Sequence, residues 1–400
     1  MKYQNEFPLY NDRIYLNHAA VAPWPRRTSM AIERFSEQVY GGAIRHRDWV
    51  EAEERLRNQF RELINAPSTE DIALLKNTSE GLSMVAHGID WRAGDNIVIT
   101  DQEFPSNRIV WQSLASQGVE IREAAILGAT SWEDTPEAIM ERNCDENTRL
   151  IAVSSVQYGT GVRMDLHRLG AFCRRQGILF CVDAIQSLGA LPMDVQAIGA
   201  DFLAADGHKW MLGPEGIAVF YCRRQLRNRL TLRQYGWHMM EDSLDFDNRD
   251  WKIADSARRF ECGSMNMLGI HAISASLSLL LEIGMDEVAR GVLEKSSYLT
   301  EAITEDKRLS LVFPAALVDD PIRRSGIVTF QAPGAELQGV FRGLIGSGVI
   351  CALRAGGIRF SPHFYTPKEQ LESAVRRVGE YIRPDMVEYS ERAMASIESR

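Results

Sequence analysis

No two cysteines in this chain of 400 residues stand as a C-x-x-C pair. The six that occur, Cys144, Cys173, Cys181, Cys222, Cys262 and Cys351, are scattered. That excludes zinc spacing, and it excludes a disulfide framework in a chain of this size. Cys173, Cys181, Cys222 and Cys351 stand in apolar runs and read as reduced core thiols. Positive charge is also in short supply: 45 Lys and Arg face 54 Asp and Glu, a formal net charge of −9. Nucleic acid is bound by a basic face, so it is not the expected partner. No apolar stretch reaches the ~18 residues of a membrane span. The opening MKYQNEFPLYNDRIYLNHAA lacks the apolar core of a signal peptide. The expectation is a cytoplasmic protein without a membrane partner. A Walker A lysine pattern and a G-x-G-x-x-G are both missing, which leaves nucleotide binding without its loop.

What the chain does contain is a rhythm. Between about residues 70 and 225, short apolar runs alternate with helical patterns: NIVIT at 96–100, VEIREAAI at 119–126, RLIAVSSV at 149–156, helical DLHRLGAFCRRQG at 165–177, then ILFCVDA at 178–184, ADFLAA at 200–205 and GIAVFYC at 216–222. Continuous apolar strands between helices predict an α/β fold with a mainly parallel sheet covered on both faces. Ligands of such sheets bind at the carboxyl ends of the strands. MLGIHAISASLSLLLEIG at 267–284 reads as a long apolar helix. Beyond it SGIVTFQA, VICAL and GIRFSP read as strands around a helix at ELQGVFRGLIGSG, with a last helix from Pro367. The expected division is a large domain over 14–284 and a smaller α+β domain over 285–400, with 1–13 packing on the smaller one.

Four places concentrate polar chemistry at strand ends. In LAADGHKWMLGPEG, a strand ends at Ala205, and Lys209 sits in the loop at its carboxyl end, followed by Trp210, Met211 and Leu212. Desolvation there lowers a lysine pKa and suits Schiff-base chemistry; an exposed loop lysine is the plainer reading. In ILFCVDAIQS, Asp183 closes a very apolar strand. A buried carboxylate needs a partner, and a protonated pyridine nitrogen is one, with Gln186 three residues on and in reach of a ring hydroxyl. Asp183 capping the following helix is the alternative. In KNTSEGLSMVAHGI, Asn77, Thr78, Ser79, Glu80 and Gly81 open an amphipathic helix, where hydroxyls and free N–H groups suit a phosphate or serve as a simple cap. In GGIRFSPHFYT, Arg359 offers a guanidinium fork for a carboxylate, or a surface ion pair.

Taken in order, YLNHAAVAP, NTSEG, EFPSN, SSVQYGTG, VDAIQSLG, DGHKWMLGPEG, RFECGSMN and GIRFSPHFYT resemble the class V aminotransferase superfamily of fold-type I enzymes, which includes cysteine desulfurases, selenocysteine lyases, isopenicillin-N-epimerase-like proteins and kynureninases. The likeness runs over about residues 14 to 380. It implies pyridoxal 5′-phosphate as cofactor, held as a Schiff base on Lys209 with Asp183 at the ring nitrogen. It implies that Thr78, Ser79 and His208 serve the phosphate, that Phe104 stacks on the ring with Asn107 supporting its loop, and that Gln157 lies near the ring hydroxyl with Gln186. Ser264 matches a hydroxyl that reaches the phosphate of a partner subunit, which implies a homodimer with shared sites. Asn17, His18 and Ala19 match the segment lining the substrate side, with His18 as a candidate second proton-transfer group. Arg359 would clamp the carboxylate of a small amino-acid substrate.

Two departures bear on the reaction. Desulfurases carry a nucleophilic cysteine on a loop ahead of the clamp arginine; here only Arg354, Ala355, Gly356, Gly357 and Ile358 fill that stretch. Phe104 stands where many desulfurases have a histidine, and it cannot carry protons. Asp206 also replaces a serine common in relatives, and a carboxylate repels phosphate unless it turns away. The resulting expectation is a transaminase or lyase acting at the α-carbon of a small amino acid, with Lys209 as general base. Desulfuration, selenocysteine cleavage and epimerisation are the alternatives within the superfamily. A non-catalytic binding protein on the same fold is the alternative outside it. No metal site is expected.

Overall fold

Seven strands form the central sheet, and their residues show why. In chain order the strands are β1 (Ile14–Tyr15), β2 (Ile72–Leu75), β3 (Asn96–Thr100), β4 (Glu120–Ala124), β5 (Thr148–Ser154), β6 (Leu179–Asp183), β7 (Phe202–Asp206), β8 (Ala218–Cys222), β9 (Ser310–Leu311), β10 (Val328–Gln331), β11 (Val349–Ile350), β12 (Ala352–Arg354) and β13 (Gly357–Phe360). This computed structural model describes residues 3, 5–8, 13–43, 45–128, 134–314, 317–318 and 320–382. The large sheet runs β2-β8-β7-β6-β5-β3-β4. All its strands are parallel except β8, which is antiparallel to both neighbours.

Successive residues along these strands enter different cores. Val98, Ile151, Val153, Phe180 and Val182 pack on one face. Ile97, Ile99, Leu150, Ala152 and Cys181 pack on the other. Burial on both faces is why the strands are continuous apolar runs with no polar alternation. Edge strand β4 alone keeps exposed positions, at Glu120 and Glu123.

A second sheet, β12-β13-β10-β9, is antiparallel throughout. The VICAL run, expected as one strand, is divided at Cys351. β11 pairs in parallel with β1, whereas β12 pairs with β13. Ile14 and Leu16 therefore lie in the same apolar cluster as Val349, Ile358 and Phe360. β1 and β11 form a two-stranded sheet of their own, and through it residues 14–16 reach the C-terminal cluster. Helix Met267–Ile283 meets helix Met285–Glu305 at an 87° bend. Val288 and Val292 of the second helix face the large core, and Leu299 and Ile303 face the C-terminal cluster. Among the described residues no single helix is long and apolar enough to cross a membrane.

A buried ion cluster fastens helix His46–Leu63 to the sheet edge. Glu261 accepts both terminal nitrogens of Arg57 and the Leu74 N–H. His238 stands 3.2 Å from Glu261 and 3.3 Å from Glu53. Burial opposes the charge on His238, but bonds to Glu261 and Glu53 outweigh it and raise its pKa to about 9. A pKa raised in the folded state means stability that is complete below the unfolded value of ~6.5 and lost as pH climbs through the folded value. His238→Gln is thus expected to lower Tm at pH 6, and the gap to the native protein should close by pH 10. A gap that is the same at both pH values would show that His238 acts by packing alone.

Candidate active site

The loops that follow β2, β3, β5, β6 and β7 meet the β12–β13 hairpin around a cavity of about 260 Å³. All five loops leave carboxyl ends of parallel strands, where an open α/β sheet leaves a crevice.

From β7 the chain turns through Gly207 and His208 to Lys209. The turn is rigid: Gly207 N–H donates to Ile217 O and Gly213 N–H to Gly207 O, each at 2.9 Å. Gly189 has φ +95°, and a Cβ there would stand 2.4 Å from the Trp210 carbonyl carbon. Only glycine lets the VDAIQSLG turn lie this close to the lysine loop. Lys209 is 8% exposed. Burial lowers its pKa, partly offset by the charge of Asp183. Its Nζ lies 5.4 Å from the Phe104 ring centroid.

Asp183 ends β6 and is 2% exposed. Burial raises its pKa. Among the described residues the only hydrogen bond to its carboxylate is from Ile185 N–H, at 3.0 Å. A carboxyl so buried and so thinly bonded has room for a cationic donor.

Asn77 caps helix Thr78–Gly88, its Oδ1 accepting from Glu80 N–H at 2.9 Å. Thr78 Oγ1 accepts from Asp206 N–H at 3.0 Å, and Ser79 Oγ donates to Ser106 Oγ at 2.8 Å. Hydroxyls and first-turn N–H groups make this end receptive to an anion. The Asp206 carboxylate lies 3.1 Å from His208 Nδ1, turned toward the imidazole.

Arg359 is 1% exposed. Its Nη1 donates to Tyr158 O at 2.8 Å and its Nη2 to Asn17 Oδ1 at 3.5 Å, while among the described residues Nε has no partner. Burial, then repulsion from Arg354, lowers its pKa to about 9. A guanidinium held this way, with no carboxylate beside it among the described residues, is set to receive one.

The cavity brings together Thr78, Ser79, Phe104, Asp183, Gln186, His208, Lys209, Arg359 and Ala19. Four expected residues are outside its lining: Asn17, which accepts from Arg359 Nη2, and His18, Gln157 and Ser264. His18 is fully buried, with Nδ1 2.8 Å from Ser361 O and Nε2 2.6 Å from Tyr365 OH. Both nitrogens are committed and burial lowers its pKa, which argues against the proton-transfer role expected for it. Gln157 is also fully buried, and its Nε2 donates to Glu103 Oε1 at 3.3 Å and to Ser154 O at 3.4 Å. It does not line the cavity; Tyr158 does. Ser264 lines a separate cavity of about 730 Å³ with Trp49, Trp237, Phe246 and Met265.

Sequence reasoning passed over Glu103, Tyr158 and Arg354. Glu103 is a buried hub that accepts from Thr100, Asn107, Ser154 and Gln157. It joins the ends of β3 and β5 beneath Phe104. Its only sequence signal was an acid beside an apolar strand end. Asn107 supports that loop, donating to Glu103 Oε2 at 2.8 Å and accepting from Trp111 Nε1 at 2.9 Å.

An anion-receptive helix end, an aromatic face, a buried carboxyl and a desolvated amine around one cavity fit a phosphorylated pyridine aldehyde. Comparison with known proteins agrees. Residues 14–376 match the family described as aminotransferase class-V. A probable cysteine desulfurase of Methanothermobacter thermautotrophicus is 28% identical, over 92% of this chain and 94% of its own. The uncharacterized aminotransferase YcbU of Bacillus subtilis is 28% identical, over 94% and 96%. The apo structure of a cysteine desulfurase from Thermococcus onnurineus NA1 superposes with TM-score 0.84 at 25% identity, over 95% of this chain and 97% of that one. The chain belongs to the aminotransferase class-V family, on the fold-type I architecture. It is a pyridoxal-5′-phosphate enzyme, a transferase or a lyase.

Proposed function

We propose that the protein is a transaminase or lyase that works at the α-carbon of a small amino acid, with Lys209, Asp183 and Arg359 as its working residues. The observation that carries this is their convergence, from three separate elements, on one cavity. Lys209 would hold the cofactor and would take the Cα proton of the substrate; its lowered pKa favours the neutral amine that this task needs. Arg359 fixes the substrate carboxylate, and the Tyr158 carbonyl and Asn17 fix Arg359. Asp183 would keep the ring nitrogen protonated, Thr78, Ser79 and His208 would take the phosphate, and Phe104 would cover the ring face. The cofactor supplies the electron sink. A screen of amino acids for a change in the cofactor's visible absorbance, followed by mass spectrometry of products, tests this reading. A protein with bound cofactor that responds to no amino acid would instead be a binding protein on this fold.

Persulfide-forming desulfuration is disfavoured, although several relatives are named for it. None of the six cysteines lines the cavity. Cys351 is 5% exposed, and burial pushes its pKa up to about 12, whereas a sulfur nucleophile must be an accessible thiolate. Cys351→Ser is expected to keep activity on the true substrate within about a factor of three, or ~0.7 kcal/mol. Loss of activity together with a persulfide mapped to Cys351 would return the protein to the desulfurases. All six cysteines are unpaired, which supports the cytoplasmic setting read from the sequence.

A homodimer with shared sites is part of the same proposal. Ser264 lies off the Lys209 cavity, as expected of a residue that serves a neighbouring subunit. Tyr235, Leu244, Phe246 and Trp251 are exposed on the segment before it, apolar side chains of the kind an interface covers. Mixing Lys209→Ala with Ser264→Asp subunits should restore activity, because one site of a mixed dimer gathers both defects and the other escapes both. Verified subunit exchange without recovery would speak against sharing.

A further inference from the structure

We propose that Arg354 selects a substrate whose side chain ends in an acid, an amino-dicarboxylate or its close analogue. The inference rests on the amino-acid reading of the site given above and adds the second charge the substrate carries. Arg354 ends β12 and lines the same cavity as Lys209 and Arg359. Its Nη1 donates to the neighbouring Leu353 O at 2.7 Å, and among the described residues no carboxylate pairs with it. Its charge is felt in the site, since it depresses the pKa of both Lys209 and Arg359.

The hairpin holds it there. Ala355 and Gly356 both have positive φ, +49° and +71°, the backbone of a tight two-residue turn. Arg354 is thereby registered opposite Gly357. Gln331 Nε2 ties the turn at Gly356 O, 3.0 Å away. The Ala355 Cβ comes so close to Gly159 that a Cβ on that glycine would stand 3.0 Å from it. The hairpin tip is thus docked on the loop after β5, the loop whose Tyr158 carbonyl holds Arg359.

One α-carboxylate satisfies Arg359. The phosphate has its own hydroxyls and helix end at Thr78 and Ser79. Asp183 and Asp206 have their own partners, the ring nitrogen and His208. A second guanidinium remains, exposed at the mouth on a backbone that the hairpin fixes, and a neutral side chain would leave it unused. A distal carboxylate would complete it by the same fork geometry that suits arginine.

The test uses holoenzyme and two probes without a Cα proton, 2-methylaspartate and 2-aminoisobutyrate, read by the change in cofactor absorbance on titration. The native protein should bind the diacid at least about tenfold more tightly. Arg354→Gln should remove that preference while leaving 2-aminoisobutyrate affinity within about twofold, and Arg354→Lys should keep part of it. Equal affinities in the native protein would overturn the proposal. So would an equal loss for both probes, or weakened cofactor retention in Arg354→Gln, because Arg354 would then serve the α-carboxylate or the phosphate. If neither probe perturbs the native protein, the amino-acid reading of the site fails and takes this proposal with it.

Discussion

Lys209→Ala is expected to cut turnover by at least about a thousandfold, roughly 4 kcal/mol of barrier. The size follows from the number of tasks one amine performs. On the proposed reading it holds the cofactor at one place in the cavity and takes the α-proton of the substrate. Alanine does neither, and among the described residues lining the cavity Lys209 is the only lysine. The fold should persist, because burying this ammonium is itself unfavourable, as its lowered pKa records. Cofactor should still bind through the phosphate end and Phe104, more weakly and without a covalent link. Unchanged Tm with lost activity is the expected pair of readings. Turnover within tenfold of the native protein would remove Lys209 from the chemistry.

Asp183→Asn is expected to lower the rate by at least about a hundredfold, or ~2.7 kcal/mol. The amide keeps the shape, and its oxygen can still accept the Ile185 N–H, so the chain should fold as before. What it loses is the negative charge that keeps a pyridine nitrogen protonated. A loss below about tenfold, with Tm unchanged, would mean that Asp183 acts only as a cap for the turn it precedes. Deletion to alanine would confuse the two outcomes, because it also removes the bond to Ile185.

Much of this arrangement could be read before any coordinates. β3, β5, β6, β7 and β8 are legible because both sheet faces are buried, which leaves unbroken apolar runs bounded by polar turns. Asp183 is legible because it closes such a run, and Lys209 because it sits in the short loop that leaves one. The reversal of β8 is not legible, since an apolar strand carries no mark of its direction. Nor is the division of VICAL at Cys351. It depends on β1 arriving from more than 330 residues away to pair with Val349 and Ile350. His18 fails for the same reason: Tyr365 and Ser361, which occupy its nitrogens, lie 347 and 343 residues along the chain. Arg354 was visible only as one residue of a stretch lacking cysteine. Its place beside Arg359 depends on a hairpin whose turn the local sequence, Ala-Gly, signals weakly.

The central claim is that Lys209 is the residue joined to the cofactor. Borohydride reduction of the purified yellow protein fixes that bond, and peptide mass spectrometry then locates it. The expected result is loss of the visible band together with a reduced pyridoxyl-phosphate group on the peptide containing Asp206-Gly207-His208-Lys209 and on no other. A protein that stays colourless after added pyridoxal phosphate, or a reduced adduct on a different lysine, would contradict it.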